Sequence, residues 1–286
     1  MSKESNDKLN NTLYIVPTPI GNLDDITIRS IETLRNSDYI LCEDTRTSKK
    51  LLIKYNIDVP LFSYHAFNEH KIVSKHVNAL LRGKKISLIS DAGTPSISDP
   101  GYLLVREAIK NGVEIDCLPG PTAFVPALVN SGISTDRFIF EGFLPRASGP
   151  KSDRLSRIAN ESRTIVLYES VHRLINTLEA LKAHFEADRV VFICRELTKI
   201  HESVYEGTLG DLCERVGAEI PLKGEFVLLI SGKEGVISAE DNELIRIFTL
   251  LVKEMTPKTA VSLTAKITGT SRNRVYSVTR LSSGYE

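Results

Sequence analysis

The sequence predicts an α/β protein of two domains followed by a small basic helical cap. Three observations carry that reading. Short apolar runs alternate with stretches of helical periodicity, the pattern of repeated βα units around a mostly parallel sheet. Three Pro/Gly-rich loops stand directly behind three of those runs, so they should converge at one sheet edge. From Phe138 onward the runs read as hairpin and antiparallel additions, marking a second sheet. The expected division is a disordered polar tail over 1–12, an N-terminal α/β domain over 13–120, a C-terminal α/β domain over 121–236 and the cap over 237–286.

The stretch from Ser90 to Gly101 lies behind the apolar run Ile86-Ser87-Leu88-Ile89 and mixes Gly93, Gly101, Pro95 and Pro100 with Asp91, Asp99 and several hydroxyls. Gly and Pro set unusual backbone angles, and small side chains let a ligand approach main-chain groups. A plain βα turn is the alternative, but such turns need only about 2 to 6 residues. The length and the two carboxylates favour a ligand loop. Similar loops follow Leu13 to Val16, as Pro17-Thr18-Pro19-Ile20-Gly21-Asn22, and Ile115 to Leu118, as Pro119-Gly120-Pro121-Thr122-Ala123.

Between them, Thr27 is placed to cap a helix carrying Ile28, Ile31 and Leu34. The strand Tyr39 to Cys42 delivers Glu43-Asp44-Thr45-Arg46 at its end, which reads either as a site or as a solvated turn with a capping Asp or Thr. Helices are expected near 48–55 and 69–82. In the second half the strand Thr164 to Leu167 ends in Tyr168-Glu169-Ser170, with Ser170 placed to cap a helix holding His172 and Arg173, and the strand Val190 to Cys194 ends in Arg195-Glu196-Leu197-Thr198-Lys199. Residues 144–160 carry four basic side chains against Asp153, a solvated helix face or a phosphate contact. In the cap, Pro257 opens a helix, Gly269 stops it and Ser271 starts another, the outline of a helix-turn-helix. Lys253 to Arg280 holds six basic residues against Glu254.

With 36 basic and 36 acidic residues the chain has no net charge, so a polyanionic partner must be met by local patches. The four cysteines form no C-x-x-C pair, which argues against zinc and disulfides and fits a reducing cytoplasm. No signal peptide or membrane-length apolar run is present, so a cytoplasmic location is expected. Neither a G-x-x-x-x-G-K-[ST] loop nor a G-x-G-x-x-G turn occurs, which disfavours nucleoside triphosphates and NAD. Loops that bind through backbone groups and hydroxyls suit a ligand with an adenosine and an amino-acid end.

Seven motifs, in order, carry a resemblance: Tyr14 to Leu23, Glu43 to Arg46, Ser90 to Gly101, Leu118 to Thr122, Gly142-Phe143-Leu144-Pro145, Tyr168-Glu169-Ser170 with His172-Arg173, and Arg195 to Lys199. Together they resemble the bacterial 16S rRNA (cytidine 2′-O)-methyltransferase branch of the tetrapyrrole methylase-like superfamily, over about 13–281. The resemblance implies two α/β domains of the tetrapyrrole methylase type with a cleft between them, S-adenosylmethionine as cofactor, no metal and a homodimer. It also implies methylation of a ribose 2′-hydroxyl in the decoding region of 16S rRNA, within the 30S subunit. By position, Pro19, Gly21, Asn22, Asp91, Ala92, Gly93, Thr94, Thr122, Ala123, Tyr168 and Leu197 would surround the cofactor. The tetrapyrrole-modifying branch has a Gly-rich first loop and Gly-Asp-Pro in the central one, and this sequence has neither.

A ribose hydroxyl attacks poorly until its proton leaves, so a nearby carboxylate or His would help. Glu43, Asp44 and Glu169 are the carboxylates considered, with His172 a weaker alternative and Arg46 and Arg195 steering phosphate. Arg146, Lys151, Lys266, Arg272 and Arg274 complete the expected RNA contacts. Two alternative functions share parts of this pattern: methylation of a tetrapyrrole at the same cofactor site, and a nucleic-acid-binding regulator acting through the terminal helices.

Overall fold

In the computed structural model, which describes residues 11–233 and 239–283, two five-stranded sheets follow one another along the chain and a group of helices ends it. The tail expected over 1–12 lies outside the described residues except for Asn11 and Thr12. Thr12 already belongs to the first strand, where it is buried and pairs with Glu114.

The first domain runs β1 (Thr12–Ile15), α1 (Ile28–Arg35), β2 (Tyr39–Cys42), α2 (Thr45–Lys54), β3 (Leu61–Ser63), α3 (Glu69–Leu81), β4 (Ile86–Leu88), α4 (Tyr102–Lys110) and β5 (Glu114–Cys117). Its strands are all parallel, in the order β3-β2-β4-β1-β5. After Thr12, β1 is apolar throughout because both its faces are covered: Leu13 and Ile15 pack into one core, Tyr14 into the other. Thr27 caps α1, its hydroxyl accepting the Ser30 N–H at 3.0 Å. α2 starts three residues earlier than the periodicity indicates, because the Asp44 carboxylate caps it by accepting the Arg46 N–H at 2.8 Å.

The second domain runs α5 (Phe124–Ser131), β6 (Phe138–Phe143), α6 (Ser148–Ile158), β7 (Thr164–Ser170), α7 (Leu174–Lys182), β8 (Val190–Arg195), β9 (Ser203–Thr208), α8 (Leu209–Arg215) and β10 (Glu225–Ile230). The sheet order is β6-β7-β10-β8-β9; β6 and β7 are parallel and the remaining pairs antiparallel. One face is the core built with α6, α7 and α8, and the other packs on α5 and Ile20 of the first domain. Ser170 caps no helix. It ends β7, and the turn that follows closes on its carbonyl, which accepts the Arg173 N–H at 3.0 Å, so His172 and Arg173 precede α7.

The cap comprises α9 (Ala239–Leu251), α10 (Pro257–Thr268) and α11 (Arg272–Ser283), joined around Leu244, Ala265 and Val275. Thr256 caps α10, Gly269 ends it at φ 70°, and the Ser271 hydroxyl accepts the Arg274 N–H. Among the described residues no helix is long and apolar enough to cross a membrane.

Leu228 is fully buried in the central strand of the second sheet. Leu228→Ala should therefore cost about 2–5 kcal/mol, read as a lowered urea midpoint at unchanged slope.

Candidate active site

The three Pro/Gly-rich loops follow β4, β1 and β5, which are neighbours in the first sheet, and they are stitched together by main-chain bonds. Thr18 and Gly93 exchange N–H···O bonds, both 2.9 Å, while the buried Thr18 hydroxyl donates to the Ser90 carbonyl at 3.0 Å. The Thr94 hydroxyl donates to the Pro121 carbonyl at 3.1 Å, tying in the third loop. At Gly120 a Cβ would stand 2.7 Å from Pro17 Cβ, so the first and third loops touch only because that residue is Gly.

This edge forms one wall of a cleft; β7, β8 and β10 form the other. Of the residues expected at the cofactor, Ala92, Gly93, Thr94, Thr122, Ala123, Tyr168 and Leu197 line it. The first wall adds Ile20, Ile97, Ser98 and Asp99, and the second adds Phe143, Cys194 and Phe226. Tyr168 is held by edge-on contacts with Phe140 and Phe143, and its hydroxyl accepts the Phe124 N–H at 3.3 Å. Leu197 reaches the cleft because Glu196 and Thr198 on either side adopt positive φ.

Pro19, Gly21, Asn22 and Asp91 do not line the cleft. Pro19 is buried beside the Thr18–Gly93 bonds. At Gly21 a Cβ would lie 2.7 Å from the Thr198 hydroxyl and 3.1 Å from the Leu197 carbonyl, and the Asn22 N–H donates to that hydroxyl at 3.1 Å. These two residues fasten the domains together. The Asp91 carboxylate accepts the Asp44 N–H at 3.1 Å, joining the loops after β4 and β2.

The residues expected to act on a hydroxyl separate sharply. Asp44 caps α2 and pairs with Arg46 at 2.7 Å, and hydrogen bonds from Arg46 push its pKa down to about 2, too low for an effective base near neutrality. Arg46 is largely exposed in that pair. Glu169 borders the cleft, but strand alternation turns its side chain to the same face as Ile165 and Leu167, opposite Tyr168. There its carboxylate is fully covered and accepts the Thr177 hydroxyl at 2.6 Å and the Ser170 N–H at 2.8 Å, with Arg173 at 3.4 Å. Arg195 is buried by the same alternation, donating to the Lys223 carbonyl at 2.7 Å and the His201 carbonyl at 3.0 Å, and so presents no charge to phosphate. His172 is exposed on the turn before α7. Glu43 is half-buried at the end of β2, its pKa raised by burial and then by the Asp91 charge.

Asp99 is the residue that sequence reasoning missed. It lies near the end of a loop already singled out, Ser90 to Gly101, yet only the fold places it on the cleft wall. Burial pushes its pKa up to about 7, helped by the Glu43 charge and partly opposed by the nearby Ser90 hydroxyl. Among the described residues no group of three or more His, Cys, Asp or Glu is arranged to hold a metal ion.

The expected RNA contacts lie around and beyond the cleft. Arg146 is exposed and Lys151 partly buried beside a groove lined by Phe143, Pro145, Arg154 and Arg157; Phe143 also lines the cleft, so the two spaces adjoin. Lys266 and Arg272 are exposed on the cap, whereas Arg274 pairs with Asp241 at 3.1 Å and ties α11 to α9.

Residues 12–213 match the family model described as Tetrapyrrole (Corrin/Porphyrin) Methylases, and residues 238–278 match the RsmI C-terminal HTH domain. The chain is 43% identical over 266 residues to "Ribosomal RNA small subunit methyltransferase I" of Xylella fastidiosa, covering 93% of this chain and 97% of the relative. It is 42% identical to the protein of that name from Escherichia coli O157:H7, covering 96% of each. In fold it is similar to a cobalt precorrin-4 methyltransferase (TM-score 0.59, 20% identity, 78% of this chain and 95% of that one) and to diphthine synthase (TM-score 0.60, 14% identity, 77% and 90%). A cleft walled by three stitched loops, the methylase match over residues 12–213 and relatives similar along nearly the whole length lead to one assignment: the chain belongs to the tetrapyrrole methylase family, within the group of ribosomal RNA small subunit methyltransferase I.

Proposed function

We propose that this enzyme methylates the 2′-hydroxyl of a cytidine ribose in the decoding region of 16S rRNA, using S-adenosylmethionine and acting on the 30S subunit. The observation that carries the reading is the extent of similarity to small-subunit rRNA methyltransferases, which runs through both sheets and the terminal helices. The cleft suits the cofactor. Ile20, Leu197 and Tyr168 offer apolar walls to an adenosine, Ala92 to Thr94 present backbone groups at the loop edge, and Asp99 can face a cation. S-adenosylmethionine supplies an electrophilic methyl group when bound. The cleft walls would shield the reacting atoms from water, and the stitched loops would give the cofactor and the ribose a fixed seat, where positioning supplies much of the rate.

Because the chain carries no net charge, RNA must be held by patches. The groove lined by Arg154 and Arg157, with Arg146 and Lys151 beside it, adjoins the cleft through Phe143, and Lys266 and Arg272 add exposed basic side chains on the cap. A second copy of the chain in a homodimer is supported by the exposed apolar side chains Val129, at the end of α5, and Ile200, 69% and 98% exposed. Asn130 bonds Glu202 at 3.2 Å, so both lie on one side of the second domain.

Label from S-adenosylmethionine should enter 30S subunits lacking the modification and map to a ribose; transfer only to a tetrapyrrole precursor run in parallel would overturn the substrate. At 100 times its Kd the cofactor should raise the unfolding free energy by about 2.7 kcal/mol. Replacing Lys266 and Arg272 by Ala should weaken RNA binding and flatten its salt dependence by about two units of slope, measured by filter binding across salt concentrations. Thr177→Val removes the partner of a buried carboxylate and should cost about 1–3 kcal/mol in thermal unfolding while the folded fraction keeps its turnover.

A further inference from the structure

We propose that Asp99 is the general base that takes the proton of the ribose hydroxyl during methyl transfer. This rests on the proposed function above and identifies the group that the sequence left open among Glu43, Asp44 and Glu169. Geometry makes the choice. Asp44 is spent on a helix cap and an Arg46 ion pair, Glu169 is turned into the opposite core, and Glu43 does not line the cleft. Asp99 stands on the cleft wall, half-buried, across from Tyr168.

Its backbone is held from both sides. Ser96 and Ser98 take positive φ, and Gly101 sits at φ 134°, where a Cβ would come within 2.6 Å of Ser96 Oγ and 2.7 Å of Leu88 Cδ2. A Cβ on Gly142 of β6 would meet Ser98 Oγ at 2.8 Å, so the second domain presses on the loop beside Asp99. A base placed this firmly loses little in being oriented for reaction.

The charge balance also favours it. The hydroxyl O–H bond breaks and its electron pair forms the O–C bond; the C–S pair leaves with the sulfur, and the proton ends on the Asp99 carboxylate. A carboxylate and a sulfonium become a neutral acid and a neutral sulfide. Cancelling two opposite charges is favourable where burial already penalises the charged carboxylate. The titratable groups around Asp99 are Glu43 at the end of β2, Asp91 from its own loop and Tyr168 from β7; the nearby Ser90 hydroxyl, which donates to the Gly93 carbonyl at 2.9 Å, partly offsets the rise. On the second wall Glu169 is turned away and Glu225 is paired with Lys199. Burial, and after it the Glu43 and Asp91 charges, raises the Asp99 pKa to about 7, within reach of the operating pH. A bound cation should favour the ionised form and expel a proton.

Two measurements on the full-length protein test this. The first is calorimetry near pH 6.5 in buffers of different ionisation enthalpy. Binding of S-adenosylmethionine should release protons, binding of the uncharged S-adenosylhomocysteine should release fewer, and Asp99→Asn should abolish the difference. Equal release by both ligands in the wild type would overturn the proposal. The second is single-turnover methyl transfer to unmodified 30S subunits. At saturating cofactor, Asp99→Asn should be slower by about 10²–10⁴-fold; a rate within threefold of wild type would overturn the proposal. Glu43→Gln, which removes an acidic charge that raises the Asp99 pKa, should move the rising limb of the pH–rate profile to lower pH than in the wild type, and an unmoved limb counts against Asp99. If wild-type protein binds the cofactor but labels no rRNA, the substrate reading fails, and proton release alone then decides whether Asp99 faces the cationic centre.

Discussion

The reciprocal pair of hydrogen bonds between Thr18 and Gly93 is the contact on which the site depends. Parallel strands deliver their loops to one edge, but nothing in a parallel ladder holds those loops to one another. Here the loops after β1 and β4 exchange main-chain bonds, a buried Thr18 hydroxyl secures the Ser90 carbonyl, and Thr94 binds the loop after β5. Gly93 accepts the geometry at φ 82°, which a β-carbon would resist. The first wall of the cleft is thus a short, irregular extension of the sheet, with its inward backbone committed and its outward side free for a ligand.

The second wall is fastened to the first by close packing at Gly21 against the Leu197–Lys199 segment and by the Asn22 bond to Thr198. That packing explains why several residues of the family motifs stand near the cleft without lining it. Gly21, Asn22 and Asp91 hold the loops and domains in register, leaving Ala92 to Thr94, Tyr168 and Leu197 on the walls of the cleft.

Charge is distributed by the same logic. Carboxylates with a nearby Arg or a capping task, Asp44 and Glu169, are kept as acceptors within the protein. Those gathered at the carboxyl edge of the first sheet, Glu43, Asp91 and Asp99, have raised pKa values because burial and mutual repulsion act together. Basic side chains lie outside this acidic edge, on α6 and on the cap, so the two charges are segregated between the rim and the cleft wall.

Periodicity and loop chemistry made much of this legible in the sequence. The strands β1, β2, β4, β7, β8 and β10, the three ligand loops, the Thr27 cap and the Pro257, Gly269 and Ser271 punctuation are local properties, each set by a few adjacent residues. The contact set at the cleft was partly legible, because Gly93, Thr94, Thr122 and Tyr168 belong to those loops and strand ends. Strand alternation could also have placed Glu169 opposite Tyr168. What the sequence could not decide was which carboxylate is capped, which is buried in the far core and which lines the cleft. Asp44, Glu169 and Asp99 have the same ionisable group and similar loop or strand-end positions; their difference lies in partners far along the chain or across the fold, Glu43 for Asp99 and Thr177 for Glu169, and in how much water the packed domains leave them. Proton affinity depends on that surrounding, so the tertiary structure alone distinguished them.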